Sequence, residues 1–368
     1  MLRNTLILLL SSLCACSGPA TADPDAGSSD AGPQGVPLLG SFTHAADSVS
    51  LAVVATADEQ LAVPRDVAVD PSDASRLWVV NRNTSIVAIH DVGTPSQTFG
   101  VFAGPGSSHF LTRPSALAFG TPGVFATAPE EDEVTQPSTP PDFMGPTLWT
   151  TDEEVFDAGH AGHIDMLHNS PNSAGIAWER DNVYWIFDGA HNSLSRYDFG
   201  LDHGPGGADH SDGVVSRYAE GLVAYQPRVP SHMEMVDGLL YVADTGNNRI
   251  AVFDPAGATR GEPISPNYDG TDQHSMVGGE LDTLADGASI DGMELPSGLA
   301  IDGDLLFVSD NQTSTIFAFD RASGELLDWV DLSSEIDGGG LMGLAADGAG
   351  GLYLVDAVGE RVLHLTAL

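Results

Sequence analysis

The sequence contains no lysine, and its 13 basic residues are all arginines, set against 52 acidic residues. The formal net charge is −39 at pH 7. A chain of that sign repels the phosphate backbone of nucleic acids, so nucleic acid is not an expected partner. Metal cations and cationic ligands are compatible with it, although acidity of this degree also serves to keep an exported protein solvated.

Cysteine is almost absent. The two cysteines are Cys14 and Cys16, so the rest of the chain has no disulfide and no thiolate ligand. The sequence also has no G-x-S-x-G nucleophile elbow, no phosphate-binding P-loop and no H-E-x-x-H zinc motif. These absences leave histidines and carboxylates as the candidates for binding or catalysis.

The clearest targeting signal lies at the amino terminus, where Arg3 precedes the apolar stretch TLILLLSSL. A basic start, a short apolar run and small residues before Cys16 are typical of a secretory signal peptide, which is too short to span a bilayer. The stretch LCAC at residues 13–16 resembles the bacterial lipobox. That resemblance implies that residues 1–15 are removed and that Cys16 is acylated. A secretory signal without lipidation is the alternative.

Residues 16–37 consist mostly of Pro, Gly, Ser, Ala and Asp, and this composition predicts a disordered tether. The sequence therefore predicts a lipoprotein of the bacterial cell envelope, at the outer membrane or the cell surface. Its amino-terminal lipid would attach it to the membrane, and residues 38–368 would form the folded domain.

Within residues 38–368, short apolar segments bounded by turn residues recur six times. The clearest copy is VPSHMEMVDGLLYVADTGNNRIAVFD at residues 229–254, and LPSGLAIDGDLLFVSDNQTSTIFAFD from residue 295 matches it. All six copies share an aromatic residue in the second strand: Trp78, Phe125, Trp185, Tyr241, Phe307 and Tyr353. Three residues later, five copies have Asp or Asn, which caps a turn. Units of this kind, without long amphipathic helices, predict an all-β, six-bladed β-propeller.

The stretch YVADTGNNRIAVFD at residues 241–254 resembles the NHL repeat. The resemblance implies an NHL-type six-bladed propeller over residues 38–368. The segment SVSLAVVAT at residues 48–56 is expected to supply the outer strand of the last blade, which closes the ring and removes exposed strand edges.

One enzyme with this type of fold is the peptidylglycine amidating lyase, whose channel zinc is held by histidines in Pro-His pairs. The corresponding pairs here are Pro-Arg at residues 64–65 and Pro-Ser at residues 114–115, 230–231 and 296–297. The resemblance is therefore distant, and the lyase's metal pairs and activity are not carried over.

Propeller geometry places the start of each inner strand at the central channel. Aligning the copies puts six residues there: Asp66, Ala116, Gly175, His232, Gly298 and Gly343. Arg65 and Asp66 are expected either to form an internal ion pair or to orient an anionic group of a substrate. His232 is the only member of this ring that is neither small nor acidic. A histidine there binds a metal or hydrogen-bonds to a neighbouring carbonyl.

Seven of the twelve histidines lie between residues 160 and 232. Several lie in loops that should emerge on the same propeller face, which leads to the hypothesis of one metal site. Its candidate ligands are His168, His191, His203, His210 and His232. Imidazole and carboxylate ligands favour zinc, copper or iron, whereas calcium is less favoured because no acidic run has the spacing of a calcium loop.

The stretch DHGPGGADHSDG at residues 202–213 is expected to lie over the channel mouth and to contribute to this site. A solvated connection that merely collects histidines is the alternative. The function that the sequence favours is a monomeric binding module for a protein, peptide or glycan, with a metal site on one face of the channel. A metal-dependent lyase or hydrolase is the alternative, so the sequence leaves open whether the protein is an enzyme.

Overall fold

The computed structural model describes residues 35–83, 85–102, 111–132, 144–156, 162–207 and 209–368. The signal peptide, nearly all of the tether and the lipidation site Cys16 lie outside the described residues. The rest forms one compact unit, Gly35–Leu368, built almost entirely from short strands. No helix among the described residues is long and apolar enough to cross a membrane.

The first thirteen strands are β1 (Val49–Ala55), β2 (Pro64–Asp70), β3 (Asp73–Asn81), β4 (Ser85–His90), β5 (Thr98–Phe102), β6 (Pro114–Phe119), β7 (Val124–Pro129), β8 (Thr147–Thr150), β9 (His163–Met166), β10 (Ser173–Arg180), β11 (Val183–Asp188), β12 (Ser193–Asp198) and β13 (Val214–Tyr218). The others are β14 (Met233–Val236), β15 (Leu239–Asp244), β16 (Arg249–Asp254), β17 (Thr259–Pro263), β18 (Asp272–Val277), β19 (Glu280–Asp286), β20 (Pro296–Asp302), β21 (Leu305–Asp310), β22 (Thr315–Asp320), β23 (Leu326–Asp331), β24 (Leu341–Ala346), β25 (Leu352–Asp356) and β26 (Arg361–Ala367).

Helical structure in the described residues is limited to short pieces. The α-helix α1 spans Glu153–Phe156. The 3₁₀ turns are Pro37–Leu39, Ala46–Ser48, Ala57–Glu59, Thr245–Asn247 and Gly287–Ser289.

The strands form six sheets, and each sheet is one blade of a β-propeller. From the channel outward, the first three blades are β2-β3-β4-β5, β6-β7-β8-β9 and β10-β11-β12-β13. The last three are β14-β15-β16-β19, β20-β21-β22-β23 and β24-β25-β26-β1. The six-bladed, all-β fold predicted from the repeats is thus confirmed.

The ring closes through the last blade. Strand β1 pairs antiparallel with β26, with Leu51 opposite Leu365, so an amino-terminal strand completes a sheet whose other strands come from the carboxyl terminus. This is the closure that the segment at residues 48–56 predicts. Closure of this kind joins the two ends of the domain within one blade, so no strand edge is left open between them.

One hairpin departs from the repeat. Strands β17 and β18 lie between β16 and β19 in sequence, yet β18 pairs in parallel with β13 of the third blade, with Ser216 opposite His274. The third sheet therefore has six strands. The hairpin covers the outer edge of β13, which would otherwise present unpaired backbone groups to solvent.

The core lies between neighbouring blades. The six aromatic residues of the second strands are all buried, and they contact the blade beside them. For example, the rings of Trp78 and Phe125, from the first and second blades, have centroids 5.0 Å apart. Fully burying a phenylalanine side chain contributes roughly 1.5–3 kcal/mol, so each residue of this column helps to stabilise the contact between two blades.

The Asp that ends most second strands fixes two loops at once. Asp310 illustrates this: one carboxylate oxygen accepts hydrogen bonds from the backbone N–H groups of Gln312 and Thr313 in the following turn. The other oxygen accepts from the N–H of Leu295, at 2.6 Å, in the segment that leads into the inner strand. The turn predicted from the sequence is present, and the same side chain also holds the blade's first loop.

Candidate functional site

The histidine-rich stretch Asp202–Gly213, called the rim loop below, connects β12 to β13 and packs against β9, the outermost strand of the second blade. The N–H of Gly206 donates to the carbonyl of His163 at 2.9 Å, and the Nε2 atom of His163 lies 3.1 Å from the carbonyl oxygen of Gly207. The loop therefore lies at the outer rim of the propeller and not over the channel mouth as expected, because the strands that it joins and contacts are outer ones.

Asp165 of β9 is the centre of this contact. Its side chain is fully buried, and Oδ1 accepts a hydrogen bond from the N–H of Met166 at 2.7 Å. The Nδ1 atom of His210 lies 2.5 Å from the same oxygen. The other oxygen, Oδ2, has no hydrogen-bond partner among the described residues and faces the Nε2 atom of His203 at 3.5 Å.

Asp212 completes the group from the solvent side. Its Oδ1 atom lies 3.0 Å from the Nε2 atom of His203, and its Oδ2 atom accepts from the N–H of Leu201 at 2.9 Å. One ligand atom from each of Asp165, His203 and Asp212 lies within 4.8 Å of the other two, a grouping that could hold a metal ion. These three residues and His210 are called the rim cluster below.

The electrostatics of the rim cluster follow from its burial. Burial raises the pKa of Asp165, although the hydrogen bond from His210 opposes the shift. The hydrogen bond to Asp165 in turn raises the pKa of His210. The cluster thus places a buried carboxylate beside two imidazoles in a chain of strongly negative charge. A cation bound there would replace the protons that these groups otherwise hold.

The structure separates the other predicted histidines from this cluster and gives each a carboxylate of its own. The Nδ1 atom of His168 lies 2.5 Å from Asp269, which also accepts from the backbone N–H of His168. The Nδ1 atom of His191 lies 2.8 Å from Asp188, at the end of β11. Of the five predicted ligands, the structure thus brings His203 and His210 together at Asp165.

Asp165 and Asp269 are the residues that sequence reasoning missed. Both are single carboxylates among 52 acidic residues, and their partners lie 45 and 101 positions away in the chain. One signal was available for Asp165: it lies between Ile164 and Met166, and an acid buried among apolar residues needs a partner.

His232, the fifth predicted histidine, lines the central channel. The channel forms a cavity of about 340 Å³ between the inner strands of all six blades. The Nδ1 atom of His232 lies 3.5 Å from Asp66 Oδ1, and its Nε2 atom lies 3.4 Å from the carbonyl oxygen of Ser115. Glu234, in β14, lines the same cavity.

Enclosure by protein shifts all three titrating groups of the channel toward their neutral forms. Burial raises the pKa of Asp66 to about 8, although the N–H groups of Leu117 and Val67 donate to its carboxylate. Burial and the nearby Asp66 raise the pKa of Glu234 to about 7. Burial lowers the pKa of His232 to about 4.

Arg65, which the sequence paired with Asp66, has a different partner. Its guanidinium is fully buried and donates to Glu130 at 2.8 Å, and Glu130 is buried as well. Adjacent residues in a strand point to opposite faces, so Asp66 lines the channel while Arg65 points away from it to β7 and the loop beyond. The internal ion pair is present, but between Arg65 and Glu130.

No protein-family model matches the chain, and no curated protein matches its sequence. Solved structures do match in fold. An auxiliary nutrient binding protein from Bacteroides ovatus superposes with a TM-score of 0.53 at 12% identity, covering 87% of this chain and 74% of its own. A second auxiliary nutrient binding protein, from Bacteroides thetaiotaomicron, gives 0.53 at 9% identity over 82% and 68%.

Virginiamycin B lyase from Staphylococcus aureus gives a TM-score of 0.50 at 11% identity, covering 87% of this chain and all of its own. Identities this low are informative about fold alone. They agree with the resemblance to propeller proteins that the repeats predict, and the chain is a six-bladed β-propeller of that kind.

Proposed function

We propose that this protein is an exported, lipid-anchored binding module whose propeller holds a zinc ion at the rim cluster. The observation that carries the proposal is the Oδ2 atom of Asp165, a fully buried carboxylate oxygen with no hydrogen-bond partner among the described residues. A buried acceptor without a partner is costly, and a cation at that position would remove the cost.

The spacing of the ligand atoms supports zinc. In a tetrahedral site with bonds of about 2.0–2.2 Å, two ligand atoms lie about 3.3–3.6 Å apart. His203 Nε2 lies 3.0 Å from the oxygen of Asp212 and 3.5 Å from that of Asp165, so small shifts would bring all three onto one ion. The side chain of Asp212 is 37% exposed, which leaves the fourth position open to water or ligand.

His210 has a supporting role in this arrangement. It holds Oδ1 of Asp165 and thereby aims Oδ2 at the ion, as hydrogen-bonded neighbours of metal ligands commonly do. The proposal is narrower than the sequence hypothesis, because His168, His191 and His232 each lie beside another carboxylate. One imidazole and two carboxylates suit zinc, and copper or iron would be accepted by the same donor types, whereas calcium prefers a larger set of oxygens.

Metal analysis of the full-length protein, purified without a polyhistidine tag, tests the site. We expect close to one zinc per chain after equilibration with zinc, and a loss of affinity of at least about tenfold in Asp165→Asn and His203→Gln. His191→Ala is the matched control, since it removes an imidazole from a different His–Asp pair and should leave zinc content unchanged. Equal zinc content in the wild type and in Asp165→Asn would contradict the proposal.

Protons provide a second measurement. Zinc competes with protons for imidazole and carboxylate ligands, so zinc affinity is expected to fall as the pH is lowered from 8 to 5.5. A flat affinity over that interval would contradict a site built from these ligands.

Export and anchoring rest on the signal peptide and on Cys16. Labelled palmitate is expected to enter the wild-type protein and not Cys16→Ser, which should be released in soluble form; labelling of the variant would overturn the anchor. The binding role is supported by the two auxiliary nutrient binding proteins that share the fold. The ligand class that we propose is the one that the sequence favours, a protein, peptide or glycan on the propeller surface.

A further inference from the structure

The channel cavity is closed at one end. Along the inner strands, the residues near the start are buried and most of those near the end are more accessible, as in β10, where Gly175 is buried and Trp178 is 38% exposed. Asp70, at the end of β2, is the exception. The cavity therefore opens toward the carboxyl ends of the inner strands, away from Asp66 and His232.

Contacts between inner strands seal the closed end. The N–H of Ser231 donates to the carbonyl of Ala174 at 2.8 Å, and the N–H of His232 donates to the carbonyl of Ser297 at 3.0 Å. Glycine is needed where the strands are closest: a Cβ at Gly175 would lie 1.9 Å from the carbonyl oxygen of Ser231. The third, fourth and fifth blades therefore touch directly at this level.

The side chains that line the cavity are mostly apolar, and the acidic ones among them face no basic residue in the lining. Its lining residues are Val, Leu, Ile, Ala, Met, Phe and Trp, apart from Asp66, His232 and Glu234. No arginine is among them, although Arg65 lies next to Asp66 in sequence, because its guanidinium points to Glu130. A volume of about 340 Å³ is within the range of small-molecule sites.

We propose that this cavity binds a small primary ammonium compound with an apolar body, whose charged head lies between Asp66 and Glu234. The site is separate from the rim cluster and does not depend on zinc there. The apolar side chains of the lining would contact the body of the ligand, and the two carboxylates would take its N–H donors.

The chemistry of the walls distinguishes this ligand from the alternatives. Among the lining side chains, an anion would meet only carboxylates and a neutral imidazole. A magnesium or calcium ion requires about six or more oxygen ligands, and Asp66 and Glu234 are the only lining side chains that offer oxygens. Both carboxylate oxygens of Asp66 already accept backbone N–H groups, which fixes the carboxylate in place for a single charged head.

Proton linkage follows from the same geometry. The titrating groups that surround the head position are Asp66 from β2, His232 just before β14, and Glu234 in β14. Arg65 is held by Glu130 behind Asp66. Enclosure raises the pKa of Asp66 to about 8 and that of Glu234 to about 7, so both carry protons for part of the time near neutrality. Binding of an ammonium ion would release these protons, and its affinity should rise from pH 6 to pH 9.

Calorimetric titration of the full-length protein with n-pentylammonium tests the inference, with n-pentanol and pentanoate as the uncharged and anionic comparisons. We expect binding of n-pentylammonium alone, with proton release at pH 7. Affinity should fall about tenfold or more in Glu234→Gln, because this variant lacks the carboxylate that would take the N–H donors of the ammonium head. Glu280→Gln, on the exposed outer strand of the same blade, is the matched control and should bind normally.

Glu234→Gln is the decisive variant because Glu234 makes no hydrogen bond among the described residues, whereas Asp66→Asn also loses a backbone contact. The Asp165→Asn variant should bind n-pentylammonium as the wild type does, which separates this site from the zinc site. Three results would each overturn the inference. Pentanol could bind as tightly as pentylammonium, or Glu234→Gln could keep the wild-type affinity. The third is a divalent ion that binds at Glu234 while the ammonium does not.

Discussion

Replacing Glu130 by glutamine is expected to lower the free energy of unfolding by about 3–5 kcal/mol, although the two side chains have nearly the same shape. Glu130 is the counter-ion of Arg65, and both side chains are almost completely excluded from solvent. Glu130 also accepts from the hydroxyl of Tyr225 at 2.7 Å and from the backbone N–H of Arg228. A glutamine would keep one oxygen for these two donors, but its NH2 group would replace the oxygen that accepts from Arg65, so the charge and that acceptor are both lost.

The magnitude comes from the position of Arg65. Burial already lowers the pKa of Arg65, which reflects the cost of keeping its charge away from water. Its Nε atom and its second terminal nitrogen have no hydrogen-bond partner among the described residues, so Glu130 is its main compensation. Removing one member of a buried pair leaves the other charge uncompensated, whereas a pair at the surface contributes about 0–1 kcal/mol.

Urea unfolding followed by tryptophan fluorescence provides the measurement, with the free energy obtained from the midpoint and the slope. Glu131→Gln is the control, because its partner Arg113 is 47% exposed and this substitution should cost no more than about 1 kcal/mol. The double variant Arg65→Met with Glu130→Gln should regain most of the stability, since no buried charge is then left. A loss below about 1 kcal/mol in Glu130→Gln, or a double variant less stable than the single one, would refute the reasoning.

Two further substitutions test the channel. Gly175→Ala is expected to destabilise the protein by about 1–3 kcal/mol in the same urea assay, because the added methyl group meets the backbone of Ser231. A variant as stable as the wild type would mean that the blades are not packed as described. Asp66→Asn should change how stability depends on pH. The folded-state pKa of Asp66, about 8, lies above its ordinary value, so its contribution to stability is present at low pH and is lost as the pH rises through 8. Between pH 5 and pH 8 the free energy of unfolding should therefore fall more steeply in the wild type than in Asp66→Asn. The difference in slope is at most about 1.4 kcal/mol per pH unit. Parallel plots of unfolding free energy against pH for the two proteins would contradict the raised pKa.

The sequence by itself determined the number of blades, the aromatic column at residues such as Trp78 and Trp185, and the closing strand β1. Each of these depends on local information that repeats along the chain: alternation of apolar residues, and Asp or Asn at the end of the second strand. The ring at the channel was also predictable, because equivalent positions of equivalent units must meet around one axis. Asp66 and His232 do lie 3.5 Å apart there, although they are far apart in sequence.

Only the tertiary structure decided which carboxylate each histidine meets. His168 lies against Asp269, 101 positions away, because the hairpin of β17 and β18, inserted into the fourth blade, packs on the outer edge of the third. His210 lies against Asp165 because the loop between β12 and β13 packs on the outer strand of the second blade. Insertions have no equivalent in the other blades, so the repeat does not say where they lie. Among 52 acidic residues, composition cannot select a partner, and only burial and distance make one of them, such as Asp165, different from the rest.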